Sequence, residues 1–196
     1  MKVRETPLSG VLIIEPKIFG DSRGFFVETF VQERYKEAGI PEHFVQDNLS
    51  FSQHGVLRGL HFQNPIPQGK LVYVLEGEVF DVVVDIRIGS PTFGEWHGEY
   101  LSGENKHQLW IPKGFAHGFC VTGDKALFVY KCTDYYAPEH EVTIRWDDPT
   151  IGIKWPIADP LVSTKDVMAS FLKDIERTHL FHFSNQIAQR VKDQGL

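Results

Sequence analysis

The amino-acid sequence predicts an all-β fold with a few short helices, on three observations. From Gln46 to about Trp146 the chain reads as strand-like runs separated by turn residues. Its 17 glycines and 11 prolines are scattered rather than clustered, which suits many short strands joined by tight turns. Aromatic residues are plentiful, with 15 Phe, 6 Tyr and 4 Trp to fill a core between sheets. A length of 196 residues favours one domain able to fold alone. We place that domain at 1–176 and treat 177–196 as a C-terminal extension of unknown role.

The first 30 residues give strands at Gly10–Glu15 and Gly24–Phe30, the second following the turn-like Gly20–Arg23. A short helix is expected at Val31–Ala38, ended by Gly39 and Pro41. The clearest strands are Lys70–Leu75 and Glu78–Arg87, which flank Glu76-Gly77 and so predict a hairpin. In the second of them Glu78, Phe80, Val82, Val84 and Ile86 share one face; Val79, Asp81, Val83, Asp85 and Arg87 share the other. That mixed face suits a polar-lined barrel interior or an ordinary solvent face equally. Further strands are expected at Gln108–Ile111, Phe115–Val121 and Ala126–Cys132. The turn Thr122–Lys125 would make the last two antiparallel neighbours, so that His117 and Tyr130 line one cavity. Ser163 resembles an N-cap, Asp166 a first-turn acid, and Val167–Ile175 the body of a longer helix. Residues after Glu176 could form a terminal helix, pack on a partner or be loose.

Charge and patterning exclude several functions. The net charge is −6 with no broad basic face, which argues against nucleic acid as a partner. A small anion held by a few Arg and Lys residues stays open. No apolar run approaches the ~20 residues that cross a bilayer, and Met1–Gly10 lacks a signal pattern, so no membrane partner and a cytoplasmic location are expected. Cys120 and Cys132 lie in apolar runs with no metal-ligand spacing and read as buried thiols.

Val56–Phe62 carries a guanidinium and an imidazole in a strand pattern. Strict alternation points Arg58 and His61 to opposite faces, and Gly59 between them could host a bulge that reunites them. Alone, the pair also reads as a surface Arg and a core His. Tyr130 alone reads as core filler or as an acid. Asp166 complements a helix dipole, or orients a histidine if that helix end meets a cavity.

Together these segments carry a signature: Gly55-Val-Leu-Arg-Gly-Leu-His-Phe-Gln63, Gln68-Gly-Lys70, Gly77–Asp85, Ser90-Pro-Thr-Phe-Gly94, Leu109-Trp-Ile-Pro112, Gly114–Phe119, Thr133–His140 and Ile144–Pro149. From about Val3 to Val167 the chain closely resembles the dTDP-4-dehydrorhamnose 3,5-epimerase family, also called dTDP-4-keto-6-deoxyglucose 3,5-epimerases. The resemblance implies a cupin-type jelly-roll β-barrel, no cofactor, and a homodimer that exchanges N-terminal strands. It implies epimerisation of dTDP-4-dehydro-6-deoxy-D-glucose at C3 and C5, with a dTDP-linked 4-keto-6-deoxy sugar as the partner. By resemblance, His61 is the base, Asp166 its dyad partner, Tyr130 the acid and Lys70 the group that steadies the enolate. His117 matches a substrate-binding position. Arg23, Glu28 and Gln46-Asp47-Asn48 match N-terminal contacts, with Arg23 and Arg58 toward the diphosphate. Tyr136 matches the residue that stacks on thymine, Glu141 a further nucleotide contact, and Lys165 a further substrate contact. Two places depart from the family pattern: Ser52-Gln-His54 replaces a more basic stretch, and Cys132 stands where Thr is more usual.

Three other readings compete. A related epimerase that inverts C3 or C5 alone would use the same pair. A non-catalytic sugar-binding cupin would have lost a catalytic group, yet His61, Lys70 and Tyr130 are all present. A metal-dependent cupin enzyme would need a His-x-His followed by a Glu. Pro112–His117 matches the second metal element, but His61 is followed by Phe62 and Gln63, so no metal is expected.

Overall fold

The computed structural model describes residues 1–183. In chain order it contains β1 (Lys2–Glu5), β2 (Leu12–Glu15), β3 (Ile18–Asp21), β4 (Gly24–Val27), α1 (Gln32–Glu37), β5 (Gln46–Gln53), β6 (Val56–Gln63) and β7 (Lys70–Asp85). Then follow β8 (Arg87–Ile88), β9 (Trp96–Ser102), β10 (Gln108–Ile111), β11 (Phe115–Cys132), β12 (Glu141–Thr143), β13 (Leu161–Val162), α2 (Thr164–Val167) and β14 (Phe181–His182). The expected all-β class holds, and the strands form a cupin-like jelly roll.

Two expected hairpins are single long strands. β7 runs through Glu76-Gly77 and β11 runs through Thr122–Lys125, and they pair antiparallel from Phe115↔Asp85 to Cys132↔Lys70. The turn residues are corners, not reversals. The ladder slips between Val121 and Ala126, so the Thr122–Lys125 segment bulges out. Gly77 lies opposite with φ 83°, where a Cβ would sit 1.7 Å from the Lys125 carbonyl oxygen. Glycine is required there for close approach of two backbones.

At these corners the long strands pass from one sheet to another, as strands do in orthogonally packed sandwiches. One half has the order β1-β2-β10-β7-β11-β5 and uses Lys70–Tyr73 and Lys125–Cys132 of the long strands. The other has the order β9-β7-β11-β6 and uses Glu78–Val84 and His117–Cys120, with β12 and β13 on the far edge of β6.

The main core lies between the halves. Val72, Val74, Leu109 and Phe128 of the first meet Val79, Val83, Leu101 and Phe119 of the second. The mixed face of Glu78–Arg87 is therefore interior, and Asp81 is fully buried on it. The opposite face is also covered. Phe80, Val82, Val84 and Ile86 pack under Ile144, Ile151, Leu172 and Leu180. α1 closes the outside of the first half through Tyr35, against Ile14, Leu71 and Trp110. It ends at Ala38, as the Gly39 signal requires.

Other boundaries move. β4 stops at Val27, short of the expected Phe30, and pairs with β3 alone. The late helix is a single turn. Ser163 caps it, but Val167–Ile175 does not continue it. Ile144 and Ser170 form a parallel bridge, the Ser170 carbonyl accepts the Arg145 N–H, and the Leu172 N–H goes to Asp148 at 2.6 Å. Tertiary hydrogen bonds thus replace the helical ladder and spread the segment over the second core. Within the expected extension, Leu180 is buried and β14 pairs parallel with β8. The rest of it, 184–196, lies outside the described residues. Among the described residues no helix is long and apolar enough to cross a membrane.

Candidate active site

The site begins with a bulge. His117 pairs with His61 and Phe119 with Arg58, so three steps along β6 match two along β11. Gly59 occupies the bulge with φ 127°; a Cβ there would lie 2.6 Å from the Gly118 Cα. The extra residue turns Arg58 and His61 to the same side, where both line one cavity of about 630 Å³. That volume lies within the usual range for small-molecule sites. Lys70, His117, Tyr130 and Asp166 line it too.

Asp166 is set by its one-turn helix, where the Ser163 hydroxyl accepts its N–H at 3.2 Å. Its carboxylate takes the His61 Nε2–H at 2.7 Å and the Gly59 N–H at 3.4 Å. A carboxylate is an acceptor, so Nε2 carries the proton and Nδ1 keeps its lone pair. Burial works to raise the Asp166 pKa, but the His61 hydrogen bond and charge outweigh it and hold the group below its ordinary value. The His61 side chain is 25% exposed, open to the cavity rather than sealed in apolar packing.

Tyr130 points into the same cavity from β11. Burial raises its pKa, and the nearby Cys132 and Glu141 add to the rise against the pull of Arg58. The phenol therefore keeps its proton at neutral pH. Lys70 opens β7 opposite Cys132. Burial lowers its pKa, opposed by Cys132, Glu141 and Asp81. His117 is anchored from behind, its Nε2 lying 3.0 and 2.9 Å from the two Asp81 oxygens. Burial raises the Asp81 pKa, while the charges of His117 and Lys70 oppose the rise. Phe119 and Phe128 stack at 4.2 Å and form an apolar wall.

Tyr136, Glu141 and Lys165 also line the cavity. One Glu141 oxygen lies 3.9 Å from His61 Nδ1. The other accepts from the Tyr136 hydroxyl at 3.0 Å and from the Lys165 ammonium. Burial pushes the Glu141 pKa up, but Lys165, His61 and Tyr136 bring it below its ordinary value.

A family model described as dTDP-4-dehydrorhamnose 3,5-epimerase matches residues 5–174. The chain belongs to that family. A curated epimerase of this description from Neisseria gonorrhoeae is 54% identical over 98% of this chain. The chain spans 59% of that protein's length, but 93% of a Shigella flexneri relative that is 58% identical over 85% of this chain. Among solved structures, a 3,5-epimerase from Legionella pneumophila in complex with dTDP-4-keto-L-rhamnose is similar at 56% identity, with a TM-score of 0.91. The match covers 93% of this chain and 98% of that one.

Not every residue that the epimerase resemblance points to reaches the cavity. Alternation along β5 sends Gln46, Asn48 and Ser50 inward and turns Asp47 outward, where it binds Lys131 at 2.7 Å. Arg23 lies exposed on the β3–β4 hairpin, paired with Asp21 at 2.6 Å, and Glu28 pairs with Arg34. Neither lines this chain's cavity, because the hairpin pairs only with itself.

Three residues at or just behind the cavity had no clear signal in the sequence. Ser50 has a buried hydroxyl without a partner among the described residues, beside the cavity. Its only hint was the Gln46-x-Asn48-x-Ser50 alternation. Asp81, which anchors His117 from behind, shares one face of the expected strand with Asp85 and Arg87, and nothing local marks its partner. Cys132 is buried as expected, yet it also lines the cavity and accepts from Asn48 Nδ2 at 3.6 Å. Its neighbours come from other strands, which no local pattern reveals.

Proposed function

We propose that this chain epimerises dTDP-4-dehydro-6-deoxy-D-glucose at C3 and C5 to dTDP-4-dehydro-L-rhamnose. One observation carries the reading: an imidazole oriented by a buried carboxylate, with its free nitrogen open to a cavity that it shares with a protonated phenol and a lysine.

The C4 ketone acidifies the hydrogens on C3 and C5. His61 Nδ1 removes one of them, and the C–H electron pair becomes the enolate. Asp166 holds the tautomer and steadies the imidazolium that forms. Lys70 supplies positive charge at the developing oxyanion. Tyr130 returns a proton from the opposite face, which inverts the carbon. Arg58, whose Nε donates to Ser52 at 3.1 Å, directs its outer nitrogens to the diphosphate. Tyr136 stacks on thymine, and Gln46, Asn48, His117 and Lys165 complete the grip. Two solved relatives are consistent with a paired His and Tyr acting on a dTDP-linked sugar. One is a His-to-Asn, Tyr-to-Phe double mutant of a 3'-monoepimerase from Streptomyces bikiniensis bound to dTDP, 33% identical with a TM-score of 0.86. The other is that monoepimerase with dTDP-quinovose.

The test is nuclear magnetic resonance of the 4-keto sugar with enzyme in deuterated water. Deuterium is expected at both C3 and C5, with both carbons inverted. Exchange at neither carbon would remove the reading; inversion at one carbon alone would make the chain a single-position epimerase.

The active unit in this reading is a homodimer. The β3–β4 hairpin exposes Ile18, Phe19, Phe25 and Phe26, and β5 exposes Leu49 and Phe51. Exchange of the N-terminal strands would carry Arg23 and Glu28 to the cavity of a second copy. Light scattering should give twice the chain mass, and a monomer with full activity would defeat this.

A further inference from the structure

The reaction above sets a problem that the His61–Tyr130 pair cannot solve alone. In a glucose-configured ring the C3 and C5 hydrogens are both axial on one face, so a single base beneath that face reaches both. After the first inversion the C–H proton sits on His61 Nδ1, and the Tyr130 proton sits on the inverted carbon. His61 is then an imidazolium and Tyr130 a phenolate. Neither can act on the second carbon until His61 loses a proton and Tyr130 gains one.

Nε2 offers no exit. Its proton is held at 2.7 Å by Asp166, which is buried and receives a second hydrogen bond from Gly59. Nδ1 faces the cavity. Among the described residues, Glu141 is the carboxylate within 4 Å of it, at 3.9 Å. A small ring rotation or one water closes that distance. The far oxygen of Glu141 is bound by the hydroxyl of the half-exposed Tyr136 and by the exposed Lys165. The carboxylate thus bridges from the base to the solvent-facing rim.

Resting on the epimerase reading, we propose that Glu141 takes the proton from His61 between the two inversions and releases it to water. The step balances. Nδ1–H⁺ and carboxylate become neutral imidazole and carboxylic acid, and the acid then gives its proton to water. Tyr130 phenolate takes one proton from water, and no electron changes owner. Lys165 and Tyr136 keep the carboxylate turned toward the imidazole. Glu141 acts through His61 and positions no reacting carbon. A role confined to gripping the nucleotide would not need a carboxylate against the catalytic imidazole.

The experiment compares Glu141→Gln with the wild type on the 4-keto sugar in deuterated water, reading single- and double-inverted product over time. The second inversion should slow by roughly tenfold or more relative to the first, in the range of one lost proton-transfer group. Single-inverted product should therefore accumulate. Added formate, a small proton acceptor, should restore the double product. An unchanged product ratio would overturn the proposal, and so would a parallel loss of both inversions with weakened dTDP binding. If the wild type exchanges neither carbon, it is the epimerase reading that fails. Should Glu141→Gln not fold, Glu141→Ala is read in the same assay: accumulation of single-inverted product, reversed by added formate, supports the proposal, and an unchanged product ratio overturns it.

Discussion

His61→Ala should abolish deuterium wash-in at both C3 and C5 and lower turnover by roughly 10²–10⁴-fold, the usual worth of a positioned general base. The substitution removes the one group at which the oriented lone pair resides. No neighbour can replace it. His117 is turned to Asp81, and Lys70 is the group proposed to face the enolate oxygen rather than the C–H bond. dTDP affinity should change little, since the residues proposed to grip the nucleotide, Arg58 and Tyr136 among them, are left in place. Asp166→Asn should act in the same direction with smaller effect. An amide can present its NH₂ to Nε2 and so favour the wrong tautomer, with the proton on Nδ1. Full exchange at both carbons in His61→Ala would show that another residue is the base.

Tyr130→Phe should leave a different signature. Losing the hydroxyl removes the proton donor on the face opposite His61, and inversion should fall by roughly 10²–10⁴-fold. Proton removal survives, because His61, Asp166 and Lys70 are untouched. Deuterium should then enter the acidic carbons with retention, delivered by His61 from the face it took the proton from. Exchange without inversion in Tyr130→Phe, set against no exchange in His61→Ala, separates acid from base in one assay. The buried, raised pKa of the phenol makes the same point: the group is stored as a proton donor, not as a phenolate base. Inversion at the wild-type rate in Tyr130→Phe would remove it from the mechanism.

Local pattern left His61 and Tyr130 open between core and site, and the family resemblance singled them out as candidates. His61 follows a glycine that could host a bulge, and the bulge is there. Ser163 and Asp166 announced a capped helix start, and the cap is there. His117 and Tyr130 do share a cavity, although by a route the sequence misrepresented. Gly77 and Thr122–Lys125 carry turn signals that fit a reversal and a corner equally well. What distinguishes the two is the backbone lying opposite. At Gly77 that is the Lys125 carbonyl, nearly fifty residues away.

By itself the sequence determined the strand content, the α1 stop, the capped start of α2 and the side-chain types needed for enolate chemistry. All of these rest on steric and hydrogen-bonding preferences within a few residues. Only the tertiary structure decided which signals were corners, that Val167–Ile175 leaves the helix for Asp148 and Ile144, and that Asp47, Arg23 and Glu28 stay out of this chain's cavity. It also brought Glu141 against His61. Those outcomes depend on partners supplied by distant strands, and one residue's local preference is too weak to oppose the burial and hydrogen bonds that such partners provide.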